Sequence, residues 1–316
     1  MDPRLSVESI AEAYEAIDPV FKDSPQFLSE PLSRRLRTQV VLKVECVNPI
    51  RSFKGRGTDY LLHRIDVPAA GLVCASAGNF GQGMAYAARK RGVALTVFAA
   101  TNANAMKVDR MRALGAEVVL EGRDFGAAKE AARRHGAETG AMFVEDGRLA
   151  PIAEGAGTIA LELGRLEEPL DAILVPLGDG ALITGVGTWL RRASPSTRIV
   201  GVVAEGAPAM LLSWRAGTTT STASADTIAD GIAVREPIDE AFQDMRSTVD
   251  DVISVSDEEI VGAMRMLLGD TGLVAEPAGA AGLAAVAKLG SGAGRVGVIV
   301  TGGNLSDEQR RSYLTG

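Results

Sequence analysis

An α/β protein built on mainly parallel sheet is predicted from three features of the sequence. Short apolar runs rich in Val, Ile and Leu recur without polar alternation, as in strands buried on both faces. Ala-, Lys- and Arg-rich stretches of helical length separate them, and that alternation implies parallel pairing. Glycines close the helical stretches, as left-handed helix ends require. In order, GLVCAS (71–76) leads into GQGMAYAARKRG, stopped by Gly92. ALTVFAA (94–100) leads into AMKVDRMRALG, stopped by Gly115, and EVVLEG (117–122) into DFGAAKEAARRHG, stopped by Gly136. AMFVED (141–146), DAILVPLG (171–178), RIVGVVAEG (198–206) and RVGVIVTGG (295–303) complete the strands. The Ser/Thr-rich segment 217–231 reads as a loop, and the charged run 234–251 as a solvated helix face. There is no fixed-period repeat and no Pro/Gly linker between halves. Two lobes sharing the chain discontinuously are therefore expected, rather than two consecutive domains.

The chain has 316 residues, 46% hydrophobic and 23% charged, which suffices for substantial cores. Its net charge of −7 argues against a nucleic-acid or acidic-membrane partner, since both need clustered positive charge. The first residues carry acids where a signal peptide would be apolar, so a cytoplasmic protein is expected. The most apolar stretch, around 170–190, is broken by Pro, Asp and Gly, so no membrane span is expected. Cys46 and Cys74 form no CxxC motif and read as reduced, buried thiols. With only His63 and His135 available, both on helical stretches, acid–base chemistry is expected to fall to another group.

That group is suggested by residues 48–57, NPIRSFKGRG. Lys54 stands among small residues between Arg51 and Arg56. Nearby positive charge favours the free amine, and Gly55 and Gly57 permit close approach of a ligand. PLGDGALITGVG (176–187) follows a strand and precedes a helix from about Thr184. Such a turn either presents N–H groups to an anion or simply needs glycine for its dihedrals. Gly178, Gly180 and Gly185 do not match dinucleotide spacing, and no Walker lysine is present. SAGNFGQGMA (76–85) repeats the strand–turn–helix pattern and could hold a carboxylate, with Asn79 adding an amide; Ser76 or Asn79 could equally be a plain helix cap. VIVTGGN (298–304) ends the last strand with a hydroxyl, two glycines and an amide, while ADGIAV (229–234) and AEPAGAAG (275–282) are turns of small residues against which a flat ligand could lie. A reactive lysine together with a phosphate cradle points to pyridoxal phosphate held as a Schiff base.

These stretches resemble the motifs of the fold-type II pyridoxal-phosphate enzymes, in the threonine/serine dehydratase branch of the tryptophan synthase beta superfamily. SFKGRG is similar to the family's SFKxRG, SAGNFGQGMA to S-S/A-G-N-H-A/G-Q-G, and PLGDGALITG to PxGGGGLxxG. IADGIAV, EPAGAAGLAA and TGGN resemble later family motifs in the same order, so the likeness runs from about residue 25 to 304. It implies two open, twisted, mainly parallel sheets flanked by helices, with the cofactor in the cleft between two lobes. Residues 1–69 and 147–316 would form the large cofactor-binding lobe and 70–146 a small mobile lobe closing on substrate. Lys54 would hold the cofactor and then take the Cα proton. Phe53 would pack by the ring, and Asn79 would bond its 3′-oxygen. Gly178, Asp179, Gly180, Ala181 and Leu182 would wrap the phosphate; Gly231 and Glu276 would lie near the ring, and Thr301 would face the pyridine nitrogen. Ser76, Ala77, Gly78 and Asn79 would receive the substrate carboxylate. A neutral hydroxyl at the pyridine nitrogen cannot keep it protonated, which favours β-elimination over transamination. The implied reaction is loss of water from threonine, serine or a related hydroxy-amino acid, giving a 2-oxo acid and ammonia, with the cofactor phosphate helping the hydroxyl depart. The alternatives are β-replacement or a threonine-synthase-like transfer on an activated amino acid, and a binder without turnover. The family also implies a homodimer.

The chain departs from the family pattern at several positions. Phe80 stands where the family often has histidine, and Asp179 and Ala181 replace phosphate-loop glycines; the Asp179 side chain is expected to point away. Ala77 occupies the position of the second-face base of serine racemases, so racemisation is not expected. Arg51 replaces a small residue and is expected to pair structurally. Glu205 is expected to be structural or solvated, with no metal bound. A C-terminal regulatory domain is not expected.

Overall fold

The computed structural model describes residues 4–289 and 293–315. Among the described residues, ten strands form two sheets. The strands are β1 (Gln26–Leu28), β2 (Gln39–Val44), β3 (Leu72–Ala75), β4 (Leu95–Ala99), β5 (Glu117–Leu120), β6 (Met142–Val144), β7 (Ala172–Pro176), β8 (Arg198–Ala204), β9 (Asp251–Val255) and β10 (Arg295–Val300). One sheet has the order β1-β2-β10-β7-β8-β9 and is parallel apart from the edge pair β1–β2. The other, β5-β4-β3-β6, is parallel throughout. The interior strands β2, β7, β8 and β10 are buried along nearly their whole length, because helices cover both faces. Helices Asp257–Thr271 and Pro277–Leu289 bury one face, with Ala263, Met264, Leu283 and Val286 in its core. Helices Ala150–Leu163 and Ala181–Ala193 bury the other through Ile159, Leu182, Ile183 and Val186.

Several details differ from the sequence reading, and strands β1, β2 and β9 were not anticipated. β5 is an edge strand with Glu117 and Leu120 exposed, so its apolar run is not buried on both faces. Gly136 does not stop a helix: Phe125–Thr139 runs through it and ends at Gly140, φ +79°. A Cβ at Gly136 would stand 2.9 Å from the Ala141 carbonyl oxygen, so the glycine serves close helix–sheet approach. Within the charged run, helix Asp239–Thr248 buries Ala241, Phe242 and Met245 and is amphipathic rather than wholly solvated. Finally, β2 was hidden by Lys43, a charged residue in a central strand.

Lys43 is tolerated because it belongs to a buried ionic network. Arg56, fully buried, donates from Nε to Glu45 Oε2 (2.8 Å) and from Nη2 to Glu45 Oε1 (2.9 Å). It also reaches Glu162 at 2.7 and 3.0 Å, Thr158 Oγ1 at 3.0 Å and Ser24 Oγ at 3.2 Å. Lys43 ion-pairs with the same Glu162. The planar guanidinium fork suits this arrangement, in which all its donors find acceptors. Burial on its own would lower the proton affinity of Arg56; Glu45 and Glu162 outweigh that and hold it charged. The network anchors helix Lys54–Arg64 to β2 and to helix Ala150–Leu163.

Candidate active site

The C-terminal ends of β3, β6, β7 and β10 open on one cavity of about 530 Å³. This is where open parallel sheets place their ligands. Phe53 and Lys54 enter it at the start of helix Lys54–Arg64. The preceding loop is tied down by Asn48, whose Oδ1 accepts from the backbone N–H groups of Ile50 and Ser52, both at 3.2 Å. The Phe53 N–H donates to the Thr301 carbonyl at 3.0 Å, which brings β10 and the lysine helix together. Lys54 Nζ lies 4.9 Å from the centre of the Phe53 ring and ion-pairs with Asp146, just beyond β6. The charge setting expected for Lys54 is therefore corrected: Arg56 faces the buried network and Arg51 does not line the cavity, so the lysine's direct ionic partner is a carboxylate. Arg51 adopts φ +52° and offers its carbonyl to the Gly303 N–H at 3.0 Å; its side chain makes no ion pair among the described residues.

Ser76, Ala77, Gly78 and Asn79 form one wall, at the turn into helix Asn79–Arg91, with Phe80 beside them. Ser76 Oγ accepts from the N–H groups of Gly81 (2.9 Å) and Gly78 (3.2 Å), so the serine shapes this helix start. Asn79 is not a cap. Its Nδ2 donates to Glu276 Oε1 and its Oδ1 accepts from Asn304 Nδ2 at 2.8 Å. Glu276 also accepts from the Asn304 N–H at 3.2 Å. Burial, reinforced by Asp230 and opposed by Lys107, pushes the Glu276 carboxyl up to about 7.

Gly178, Asp179, Gly180, Ala181 and Leu182 also line the cavity, as do Gly231, Glu276 and Thr301. The helix here begins at Ala181, three residues earlier than the sequence suggested. Gly180 precedes it at φ +101°, a left-handed conformation that favours glycine, and the first N–H groups of the helix have no partner within it. Asp179 lines the cavity, and burial followed by the charge of Asp146 pushes its carboxyl up to about 7.

Lys107, Lys129, Glu145, Asp146 and Arg235 also line the cavity, and sequence reasoning missed them. Lys107, only 3% exposed, reaches from helix Ala105–Ala113 to Asp230. Burial opposes its charge, but Glu276 and Asp230 outweigh it and hold the ammonium above the usual lysine range. Asp146 was legible only as a polar residue at the end of a strand run. Neither histidine lines the cavity; His63 stacks on Tyr60 and His135 packs on Phe98. Cys46 and Cys74 are unpaired, and burial pushes their thiols up to about 11 and 12, so neither is a ready nucleophile. Glu205 pairs with Lys288 at 3.2 Å. Among the described residues, no helix is long and apolar enough to cross a membrane.

A family model described as pyridoxal-phosphate dependent enzyme matches residues 17–302. The chain belongs to this family. It is 36% identical to an L-threonine ammonia-lyase of Thermotoga maritima over 95% of this chain and 76% of the relative. It is 34% identical to an L-threo-3-hydroxyaspartate ammonia-lyase of a Pseudomonas species over 98% of this chain and 99% of the relative. The solved structure of threonine deaminase isoform 2 from Solanum lycopersicum, in its processed form, superposes with a TM-score of 0.88 at 27% identity, covering 99% of this chain and 89% of that one. The cavity of this pyridoxal-phosphate enzyme fits its cofactor. It joins an amine, a helix N-terminus suited to a phosphate, and a buried hydroxyl at Thr301. Two of the lining glycines are required by packing: a Cβ at Gly231 would stand 2.9 Å from Ala278 Cβ, and one at Gly178 2.9 Å from the Gly231 carbonyl oxygen.

Proposed function

We propose that the protein is an ammonia-lyase that eliminates water from threonine, serine or a related hydroxy-amino acid and releases a 2-oxo acid and ammonia. The observation that carries this reading is the convergence of Lys54, the glycine-rich helix start at Gly178–Leu182 and Thr301 on one cavity. The names of the relatives at 34–36% identity support the same chemistry. When bound, pyridoxal phosphate supplies an aldehyde for the substrate amine and a conjugated ring that takes up the electron pair of the broken Cα–H bond.

The protein's own residues do the rest. N–H groups of Gly178 to Leu182 would hold the phosphate, and the positive end of helix Ala181–Ala193 would add to the attraction. Asn79 and Phe53 would orient the ring, with Gly231 and Glu276 beside it. Thr301 would present a neutral hydroxyl to the ring nitrogen, which would steer the site towards elimination. The turn Ser76–Ala77–Gly78–Asn79 takes the substrate carboxylate, with the buried Lys107 ammonium adding positive charge; a Cβ on Gly78 would stand 3.9 Å from its Nζ. Lys54 takes the Cα proton. Ala77 offers no second proton-bearing group on the other face, so the product is not the enantiomer. In this reading, 70–146 is a mobile lobe, and the Lys107–Asp230 pair latches it to the rest. The enzyme acts as a homodimer in the cytoplasm.

The test is to incubate the reconstituted enzyme with L-threonine, L-serine and L-threo-3-hydroxyaspartate while measuring 2-oxo acid and ammonia. Equimolar release from at least one of them without any added nucleophile is expected. Product only in the presence of an added thiol or amine would replace the lyase by a transferase.

A further inference from the structure

Lys54 and Asp146 are 92 residues apart in sequence yet in direct ionic contact, with side chains only 15% and 13% exposed. The second oxygen of Asp146, Oδ1, is buried without a hydrogen-bond partner. Among the described residues, Lys54 is the one cation paired with Asp146. The neighbouring Glu145 takes Lys129, Arg133 and Arg148 for itself. The turn carrying Asp179 presses on the same place, since a Cβ at Gly147 would stand 2.9 Å from Asp179 Cβ. Asp179, held up near neutrality by burial and by the Asp146 charge, leaves Asp146 as the group that answers Lys54. Both residues of the ion pair line the ligand cavity, and among the described residues nothing else claims the remaining Asp146 oxygen.

We propose that Asp146 is the acid–base partner of Lys54, stabilising the ammonium formed when the lysine takes the Cα proton and fixing Nζ while the lysine is free of the cofactor. The inference rests on the role given to Lys54 above. The Cα–H bond breaks and an N–H bond forms on Nζ; the C–H electron pair, once delocalised, ends in the new Cα=Cβ bond as the Cβ–O bond breaks and its pair leaves with the hydroxyl. The new positive charge appears beside the Asp146 carboxylate rather than in an uncompensated pocket. The same proton leaves with the β-hydroxyl as water, which restores the neutral amine. Asp146, Lys54, Lys129 and Glu145 are the charges that act on the neighbouring Asp179, and among the described residues Asp146 alone pairs with Nζ.

The test compares Asp146→Asn and Asp146→Glu with the parent, all loaded with pyridoxal phosphate. Without substrate, the long-wavelength absorbance of the lysine imine is titrated against pH. Removing the anion beside the imine nitrogen should lower the midpoint by about one unit or more in the Asn variant. The Glu variant should stay within about 0.3 units of the parent. With substrate, kcat of the Asn variant should fall about 10²-fold with KM changed less than about threefold, and Glu should restore much of it. Unchanged midpoint and kcat in Asp146→Asn would overturn the proposal, as would a Glu variant no better than Asn. Should the Asn variant fail to fold, the Glu variant decides: a lowered midpoint with lost turnover overturns the proposal, and a retained one supports it. If the parent makes no 2-oxo acid from any hydroxy-amino acid, the substrate reading fails while the titration still tests Asp146.

Discussion

Replacing Lys54 with alanine is expected to lower turnover by on the order of 10⁴-fold or more while leaving the protein folded. The side chain supplies the one amine at the start of helix Lys54–Arg64, and it sits in a cavity with no histidine and no ready thiol. No other group on that wall can both attack an aldehyde and accept a carbon-bound proton. The loss of stability should be smaller than at Arg56, because among the described residues Lys54 answers one carboxylate, Asp146, and both side chains keep some contact with solvent. Steady-state kinetics with the best hydroxy-amino acid, together with a urea denaturation curve, checks both halves. Residual turnover within about 10-fold of the parent would place the chemistry elsewhere.

Replacing Arg56 with alanine is expected to do the reverse, costing about 3–5 kcal/mol of stability. Arg56 has no exposed surface and neutralises both Glu45 and Glu162. Without it, Lys43 remains to serve Glu162, and Glu45 keeps only the Ser24 hydroxyl among these partners. The cost comes from carboxylates stranded in a low-dielectric interior rather than from lost packing alone. Arg56→Lys should fall between the two, since an ammonium keeps the charge but cannot bridge two carboxylates in a plane. Urea unfolding midpoints at constant m-value measure this directly. A shift below about 1 kcal/mol would mean that the network adds little.

Arg56 also marks where sequence reading reached its limit. Its place two residues after Lys54 suggested electrostatic pressure on the lysine. On a helix, positions two apart face different directions, so Arg56 turns into the core while Lys54 turns into the cavity. The apolar strands β3, β4, β7, β8 and β10 were legible because helices cover both of their faces. β2 was not, because Lys43 breaks its apolar run, and the partner that makes this tolerable, Glu162, lies 119 residues away. β1, with three residues, is too short to show a period. The glycine-rich turns and Lys54 could be read locally because backbone conformation and chain spacing encode them. Asp146 and Lys107 could not, because each acquires its meaning from a residue far along the chain, Lys54 and Asp230 respectively. Asp179 reads as a bystander in the sequence for the same reason, since the charge that acts on it, Asp146, is brought to it only by the fold.

All of this chemistry depends on a covalent imine at position 54. Reconstituting the protein with pyridoxal phosphate, reducing it with borohydride and mapping the peptides by mass tests this most directly. One pyridoxyl group per chain, fixed on Lys54, is the predicted result. No adduct, or an adduct on Lys107 or Lys129, the other lysines lining the cavity, would contradict it.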